Sequence, residues 1–363
     1  MLRFFRFPLP FLLLAMSLVS CRRPSYESLG GYAQGGVWQV KCRVPAGIRK
    51  DVLQKGLDSA LTAIDASLSG YNQSSVLSRH NRGELPLSAG ASLSRDEVLA
   101  AGYDTLFLRM LALSRAAWEL TGGKVDASAA ELFDAWGFGF KNDSLPPVSR
   151  TDSLRALGGN FSLRRGDGSP RRFNFNALAQ GYSSDLLARY LRSKGIGDML
   201  VNVGGEMFCA GVNPSGKAWT LGIDTPYDGN DAPGEKLSRI FEVRDVPAAV
   251  VTSGNYRKFY VRDGVKYSHT IDPGTGRPVS HDLLSATVIV GAGCPLTAPG
   301  AAFERWETTL ADALATYCMV VGPEAAKAFV TAQPGIEACL ISGAGQEGTE
   351  MEVWCSEGFG AVR

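Results

Sequence analysis

Short apolar runs of strand length, out of step with a few long helical periods, most limit what this chain can fold into. VWQVKC, RFNFN, DMLVNV, MFCAG, WTLGI, RIFEV, AAVVTS, KFYVRDG, VKYSHT, SATVIV, EACLIS and MEVWCS each read as a strand. Helical spacing recurs over 48–68, where Val52, Leu53, Leu57, Leu61, Ile64 and Leu68 share one face. A second helix is predicted over 95–120, entered through Ser94 and ended at Gly122-Gly123. Others are predicted over 181–194, 309–321 and 324–332. Strands and helices do not alternate strictly, so the expectation is an α+β fold of mixed sheets flanked by helices, not a doubly wound sheet. Asp263-Gly264, between KFYVR and VKYSH, predicts a tight hairpin. With 363 residues, 45% of them hydrophobic, the chain can fill one large core or two smaller ones.

The first residues read as a transport signal. Arg3 and Arg6 precede an apolar run from Phe7 to Val19, which is shorter than the roughly 20 residues of a membrane span. Leu18-Val19-Ser20-Cys21 then resembles the lipobox of bacterial lipoprotein signals. The alternative is an ordinary signal peptide with a chance cysteine. The lipobox reading divides the chain into a signal peptide (1–20), a lipidated Cys21 with a polar tether (21–31) and one folded domain (32–363). It implies a membrane-anchored lipoprotein facing the periplasm.

Charge and metal-ligand chemistry narrow the function classes. Lys and Arg total 37 against 36 Asp and Glu, so no global field favours nucleic acid. His80, His269 and His281 are the only histidines, too few for a site built from several. Beyond Cys21 the cysteines are Cys42, Cys209, Cys294, Cys318, Cys339 and Cys355, with no CxxC pair to hold a thiolate-bound metal. A hairpin through GAGQEG would set Cys339 and Cys355 face to face; the expectation is two buried free thiols.

Four polar, glycine-rich stretches follow apolar runs, where loops carry function on a rigid scaffold. Asn176-Ala177-Leu178-Ala179-Gln180-Gly181-Tyr182-Ser183-Ser184-Asp185 enters a helix, whose start suits phosphate or a plain cap. Val203-Gly204-Gly205-Glu206 suits close backbone approach to a ligand, or a simple turn. Thr252-Ser253-Gly254-Asn255 and Ser268-His269-Thr270-Ile271-Asp272-Pro273-Gly274-Thr275-Gly276 bring Ser, His and Asp into one constellation. A serine hydrolase is disfavoured because no G-x-S-x-G elbow is present. Asp312 and Thr316, four apart, share one helix face; a carboxylate and a hydroxyl there could hold a hard cation or merely be solvated.

Taken in order, DASLSGYNQSSVLSRHN (65–81), TGGKVDASAAELFDAWGFG (121–139), NALAQGYSSD (176–185), LVNVGGE (200–206), TSGNYRKFY (252–260), HTIDPGTGRPV (269–279) and ADALAT (311–316) resemble the ApbE family of bacterial FAD:protein FMN transferases. The resemblance spans nearly all of 32–363. It implies a T-fold-like α+β architecture with an FAD cleft, and Mg2+ bridging the FAD pyrophosphate. It implies transfer of FMN from FAD to a Ser or Thr hydroxyl of a target flavoprotein, with release of AMP. The implied targets are flavin-carrying subunits of membrane redox complexes of the Rnf and Nqr kind.

By position, the implied metal ligands are the Asp312 carboxylate, the Thr316 side chain and the carbonyls of Ala177 and Ala315. Implied FAD contacts are Tyr71, Ser128, Asp185, Gly204, Gly205, Ser253, Gly254, His269, Asp272 and Thr275. His269 is a candidate general base, and Asp272 is an alternative base or a residue that orients its loop. Gln180 stands where the family often has Lys, and Gln34-Gly35-Gly36 where it has Met-Gly-Thr. Phe303 and Trp306, in the loop 292–308, are expected on a surface insertion, a lid or docking face being the alternative. Two other functions share the resemblance: an Mg2+-dependent FAD pyrophosphatase using water as acceptor, and a non-catalytic FAD-binding lipoprotein.

Overall fold

Strands that read as unbroken apolar runs are those buried on both faces. A computed structural model describes residues 25–86, 94–138, 148–226, 236–255, 259–262, 265–344 and 350–360. Cys21 lies outside the described residues, as does the signal segment before it.

The elements in chain order are β1 (Ser25–Ala33), β2 (Gly36–Val44), α1 (Lys50–Leu68), α2 (Val76–Asn81), α3 (Arg95–Ala100), α4 (Thr105–Leu120), α5 (Ala130–Ala135), α6 (Val148–Arg155) and α7 (Ala179–Ser193). There follow β3 (Met199–Val203), β4 (Glu206–Ala210), β5 (Trp219–Asp224), β6 (Leu237–Val243), β7 (Ala248–Gly254), β8 (Phe259–Arg262), β9 (Val265–Ser268), β10 (Ile271–Asp272), β11 (Arg277–Pro278) and β12 (Leu283–Val290). The chain ends through α8 (Glu307–Val321), α9 (Pro323–Thr331), β13 (Ile336–Ala344) and β14 (Glu350–Cys355).

One sheet of eight strands, in the order β1-β2-β3-β4-β7-β12-β13-β14, organises the molecule, and every neighbouring pair is antiparallel. Alternation along its central strands splits the core in two. In β7, Ala249 and Val251 join the larger core with α1, α4, α7 and α8, whereas Ala248 and Val250 face the smaller one. In β13, Ala338 and Leu340 face the helices while Cys339 and Ile341 face away. The smaller core is closed by the hairpin β5–β6 through Trp219, Leu221 and Phe241, with Phe359 from the chain's end. This is the α+β architecture expected from the sequence.

Four local expectations change. The stretch 95–120 is two helices, α3 and α4, because Gly102 adopts φ 96° and Asp104 starts a new helix by accepting the Phe107 N–H at 2.8 Å. RFNFN (172–176) is not a strand: Phe173 and Phe175 stack within the helix-side core, and its backbone bonds to Asn81 and Ala127. Residues 25–31 are not tether, since β1 begins at Ser25 and pairs with β2. Phe303 and Trp306 are buried, not surface residues of an insertion. Trp306 stacks on Tyr182 with ring centres 4.8 Å apart and lies under the Arg189 guanidinium at 4.7 Å, fixing the loop to α7.

Candidate functional site

Helices α7 and α8 cross so closely that Gly181 is the only side chain size that fits there. A Cβ at Gly181 would meet the Thr308 carbonyl oxygen inside contact distance and stand 2.8 Å from Asp312 Cβ. The same approach lets the Gly181 N–H donate to Asp312 Oδ2 at 3.0 Å. Asp312 is buried, and among the described residues Oδ1 accepts no hydrogen bond. Burial pushes its carboxyl well above the usual range, and Glu206 and Asp185 add repulsion. Thr316, one turn further along α8, is half-buried, and so is Ala177, just before α7.

Asp185 holds α8 from below. Its Oδ1 accepts the Thr308 N–H at 3.0 Å, and its Oδ2 accepts the Thr309 N–H at 2.8 Å and the Thr309 hydroxyl at 2.7 Å. A carboxylate at a helix N-terminus satisfies its free N–H groups and complements its dipole. Burial, with Glu307 beside it, still raises the Asp185 carboxyl to about 7. The side chain therefore fixes the helix that carries Asp312; a direct flavin contact from it is not what the packing offers.

Two turns close on the start of α7. Gln34 and Gly35 form the tip of the β1–β2 hairpin with φ 54° and 77°. Gln34 Nε2 donates to Ser183 Oγ at 2.5 Å. Gly204, at φ 72°, packs against the Gln180 amide, and Gly36 lies against Gly204 Cα. Gly205, at φ 122°, has open space where a Cβ would stand, and its N–H donates to Asn202 Oδ1 at 2.9 Å. The Ser184 hydroxyl donates to the Glu206 carbonyl at 2.6 Å, tying α7 to β4. Ala177, Asp185, Gly204, Gly205 and Asp312 are thus brought together.

The second half of the site is the turn from Asp272 to Gly276. Asp272 accepts from Lys124 Nζ with both oxygens at 2.9 Å, and from the Gly274 N–H at 2.8 Å. Trp136 Nε1 donates to the Gly276 carbonyl at 2.8 Å, and Arg155 to the Gly274 carbonyl at 3.1 Å. Thr275 is exposed at the tip, and His269 meets the edge of Phe138 with ring centres 6.4 Å apart. Strand β10 packs against α8, which joins the two halves. Ser253 and Gly254 end β7, opposite Ala286 and Ser285 of β12.

Two implied contacts sit differently. Ser128 is fully buried and donates to Asp126 Oδ1 at 2.6 Å, so its hydroxyl supports the 126–128 loop. Asp126 also accepts the Gly159 N–H, and the Ala127 carbonyl accepts the Asn174 N–H, which places this loop against the entry to α7. Tyr71, after α1, is mostly exposed. Lys124 was not singled out from sequence, and Gly181 was read only as part of the entry to a helix. Lys124 lay inside the TGGKVDAS stretch, and a glycine in the first turn of a helix is itself a packing signal.

The ApbE family profile matches residues 35–340. The chain is 31% identical, over 93% of its length and 89% of the relative's, to a protein of Salmonella typhimurium called FAD:protein FMN transferase. A Vibrio cholerae protein of the same description is 30% identical over 87% of both chains. The solved flavin transferase ApbE of Vibrio cholerae superposes with a TM-score of 0.71 at 27% identity, covering 92% of this chain and 99% of that one. The apo flavinyl transferase ApbE of Pseudomonas stutzeri gives 0.72 at 27% identity over 92% and 95%.

Proposed function

The chain belongs to the ApbE family, and we infer that it is an FAD:protein FMN transferase. The observation that carries the reading is the α7–α8 crossing. It buries the Asp312 carboxylate beside a helix start and two glycine turns, within a chain that resembles an enzyme of that description over 93% of its length.

The reaction exchanges a phosphoanhydride bond for a phosphate ester bond. The oxygen of an acceptor Ser or Thr hydroxyl forms a bond to the FMN phosphorus of FAD. The pyrophosphate bond to the AMP moiety breaks, AMP leaves, and the hydroxyl proton passes to a base. Such transfers rest on positioning and charge neutralisation more than on covalent help from the enzyme. His269 is the proposed base. Asp272 is the proposed orienting residue, since its two oxygens are engaged by Lys124.

Mg2+ fits the donors present. A carboxylate, a hydroxyl and backbone carbonyls form an oxygen set suited to a hard cation. Asp312, destabilised by burial and by Glu206, gains from a neighbouring positive charge. Asp312, Thr316, Ala177 and Ala315 would hold the ion, which would neutralise developing charge on the pyrophosphate. Asp185 and Gly181 keep Asp312 at a fixed distance from the start of α7, and the open backbone at Gly205 admits close approach of a ligand.

The acceptor is a flavin-carrying subunit of a membrane redox complex of the Rnf or Nqr kind, and the enzyme faces it from a lipid anchor on Cys21. Arg3, Arg6, the apolar run and the adjacent cysteine support that anchor. Among the described residues no helix is long and apolar enough to cross a membrane.

The test is to incubate the purified chain with FAD, Mg2+ and an acceptor domain, then weigh the acceptor by mass spectrometry. A gain equal to FMN, lost in Asp312→Ala, supports the reading. FAD split to FMN and AMP with every acceptor unchanged indicates a pyrophosphatase. FAD bound and intact indicates a carrier.

A further inference from the structure

Cys339 and Cys355 are directly opposite in the β13–β14 register, and their sulfur atoms lie 2.8 Å apart. The neighbouring pair fixes the type of position they occupy. The Ser356 N–H donates to the Ala338 carbonyl at 2.9 Å, so Ala338 and Ser356 form a hydrogen-bonded position, and Cys339 and Cys355 the non-hydrogen-bonded one beside it. At such positions opposite Cα atoms lie about 4.5 Å apart, within the span of a disulfide. The strand register already in place therefore suits a bond between them.

Access is asymmetric. Cys339 is buried in the smaller core, while Cys355 is half-buried on β14, which is the sheet's edge strand. The thiol of Cys355 is lowered from its ordinary value, first by its hydrogen-bond partner Cys339 and then by Arg239 of β6. The other described cysteines, Cys42, Cys209, Cys294 and Cys318, are all buried.

We propose that Cys339 and Cys355 form a disulfide that staples the edge strand β14 to β13. It also fixes the segment after Cys355, whose Phe359 packs on Phe241 with ring centres 5.0 Å apart. The Cys355 thiolate attacks one sulfur of a disulfide oxidant such as a thiol–disulfide oxidoreductase. A mixed disulfide forms, and Cys339 then displaces the second thiol. The S–S bond of the oxidant breaks as the Cys339–Cys355 bond forms, and the two electrons and two protons of the thiols end on the two sulfurs of the oxidant, which leaves as a dithiol. An exported chain meets such an oxidant.

The experiment treats the purified full chain with glutathione disulfide, then alkylates it in denaturant and maps peptides by mass spectrometry before and after reduction. The expected result is a linked pair of peptides carrying Cys339 and Cys355, about 2 Da lighter than the two thiol peptides. Reduction separates the pair. In Cys355→Ser, Cys339 is alkylated without reduction. Limited proteolysis gives an independent readout: reductant speeds cleavage within 350–360 several-fold in the wild type and leaves Cys339→Ser/Cys355→Ser unchanged. Full alkylation of both cysteines before reduction, pairing of either with another cysteine, or a stable glutathione adduct on Cys355 would each overturn the proposal.

Discussion

The Gly181 N–H donates to Asp312 Oδ2 at 3.0 Å across a helix crossing that leaves no room for a methyl group. Backbone, not a flexible side-chain tip, lies in the way, so Gly181→Ala must move α7 against α8. Overpacking of this kind costs about 1–3 kcal/mol. Denaturant unfolding is expected to show that loss, and FMN transfer is expected to fall more than stability does. Full activity in Gly181→Ala would show that the crossing distance does not matter.

Asp312→Asn separates chemistry from folding. Asn keeps an oxygen for the Gly181 N–H and removes a charge that burial and Glu206 both disfavour. Stability is expected to hold or rise. Transfer is expected to drop about 100-fold or more, as when a charge-stabilising group is removed from an active site. Chelator should stop the wild-type reaction and added Mg2+ restore it, with no such recovery in Asp312→Asn.

Two buried groups give pH dependences of opposite sign. Burial lowers His80 to about 4; its Nε2 bonds to the Arg171 carbonyl at 2.7 Å and its Nδ1 to the Tyr103 hydroxyl at 2.6 Å. Between pH ~6.5 and ~4 the unfolded chain takes a proton that the folded His80 refuses, so its contribution is lost as pH falls. The raised Asp185 behaves oppositely: between pH ~4 and ~7 the unfolded carboxyl ionises first, and its contribution is lost as pH rises. The stability difference between wild type and His80→Gln should therefore shrink on acidification, and that for Asp185→Asn should shrink on raising pH. Unfolding curves at several pH values read both; parallel pH profiles would contradict the assignment.

Lys124→Met releases Asp272 and with it the turn up to Gly276. The Lys124 side chain is only partly exposed and Asp272 less so, so the pair is worth about 1 kcal/mol of stability. The larger expected effect is on FAD, with KM rising several-fold and kcat changing less. Lys124→Arg, which can still pair with Asp272, should recover part of the binding. An unchanged KM in Lys124→Met would assign the ion pair to structure alone.

The central strands and long helices were legible because burial on two faces and helical spacing both leave periodic marks, as in AAVVTS and residues 48–68. RFNFN misled because alternating Phe and Asn fits a strand as well as it fits a loop whose rings sink into the helix-side core. The tether reading failed at Ser25–Gly31 because an exposed edge strand carries little apolar pattern. In the site, the Asp312–Thr316 spacing was readable from helix geometry, whereas Asp185 was legible only as an implied flavin contact and not as the support of α8. Its partners Thr308 and Thr309 are more than a hundred residues away, and nothing local marks a carboxylate that supports a remote helix.

Among the described residues, the first and last strands, β1 and β14, form opposite edges of the eight-stranded sheet. Seven inter-strand spacings of about 4.8 Å separate them by roughly 34 Å. A pulling force between the chain's two ends would therefore peel the edge hairpins one residue pair at a time, while β4, β7 and β12 in the middle carried little load. With Cys339 and Cys355 joined, the far edge could not be unzipped past Cys355, and mechanical failure would begin at Ser25.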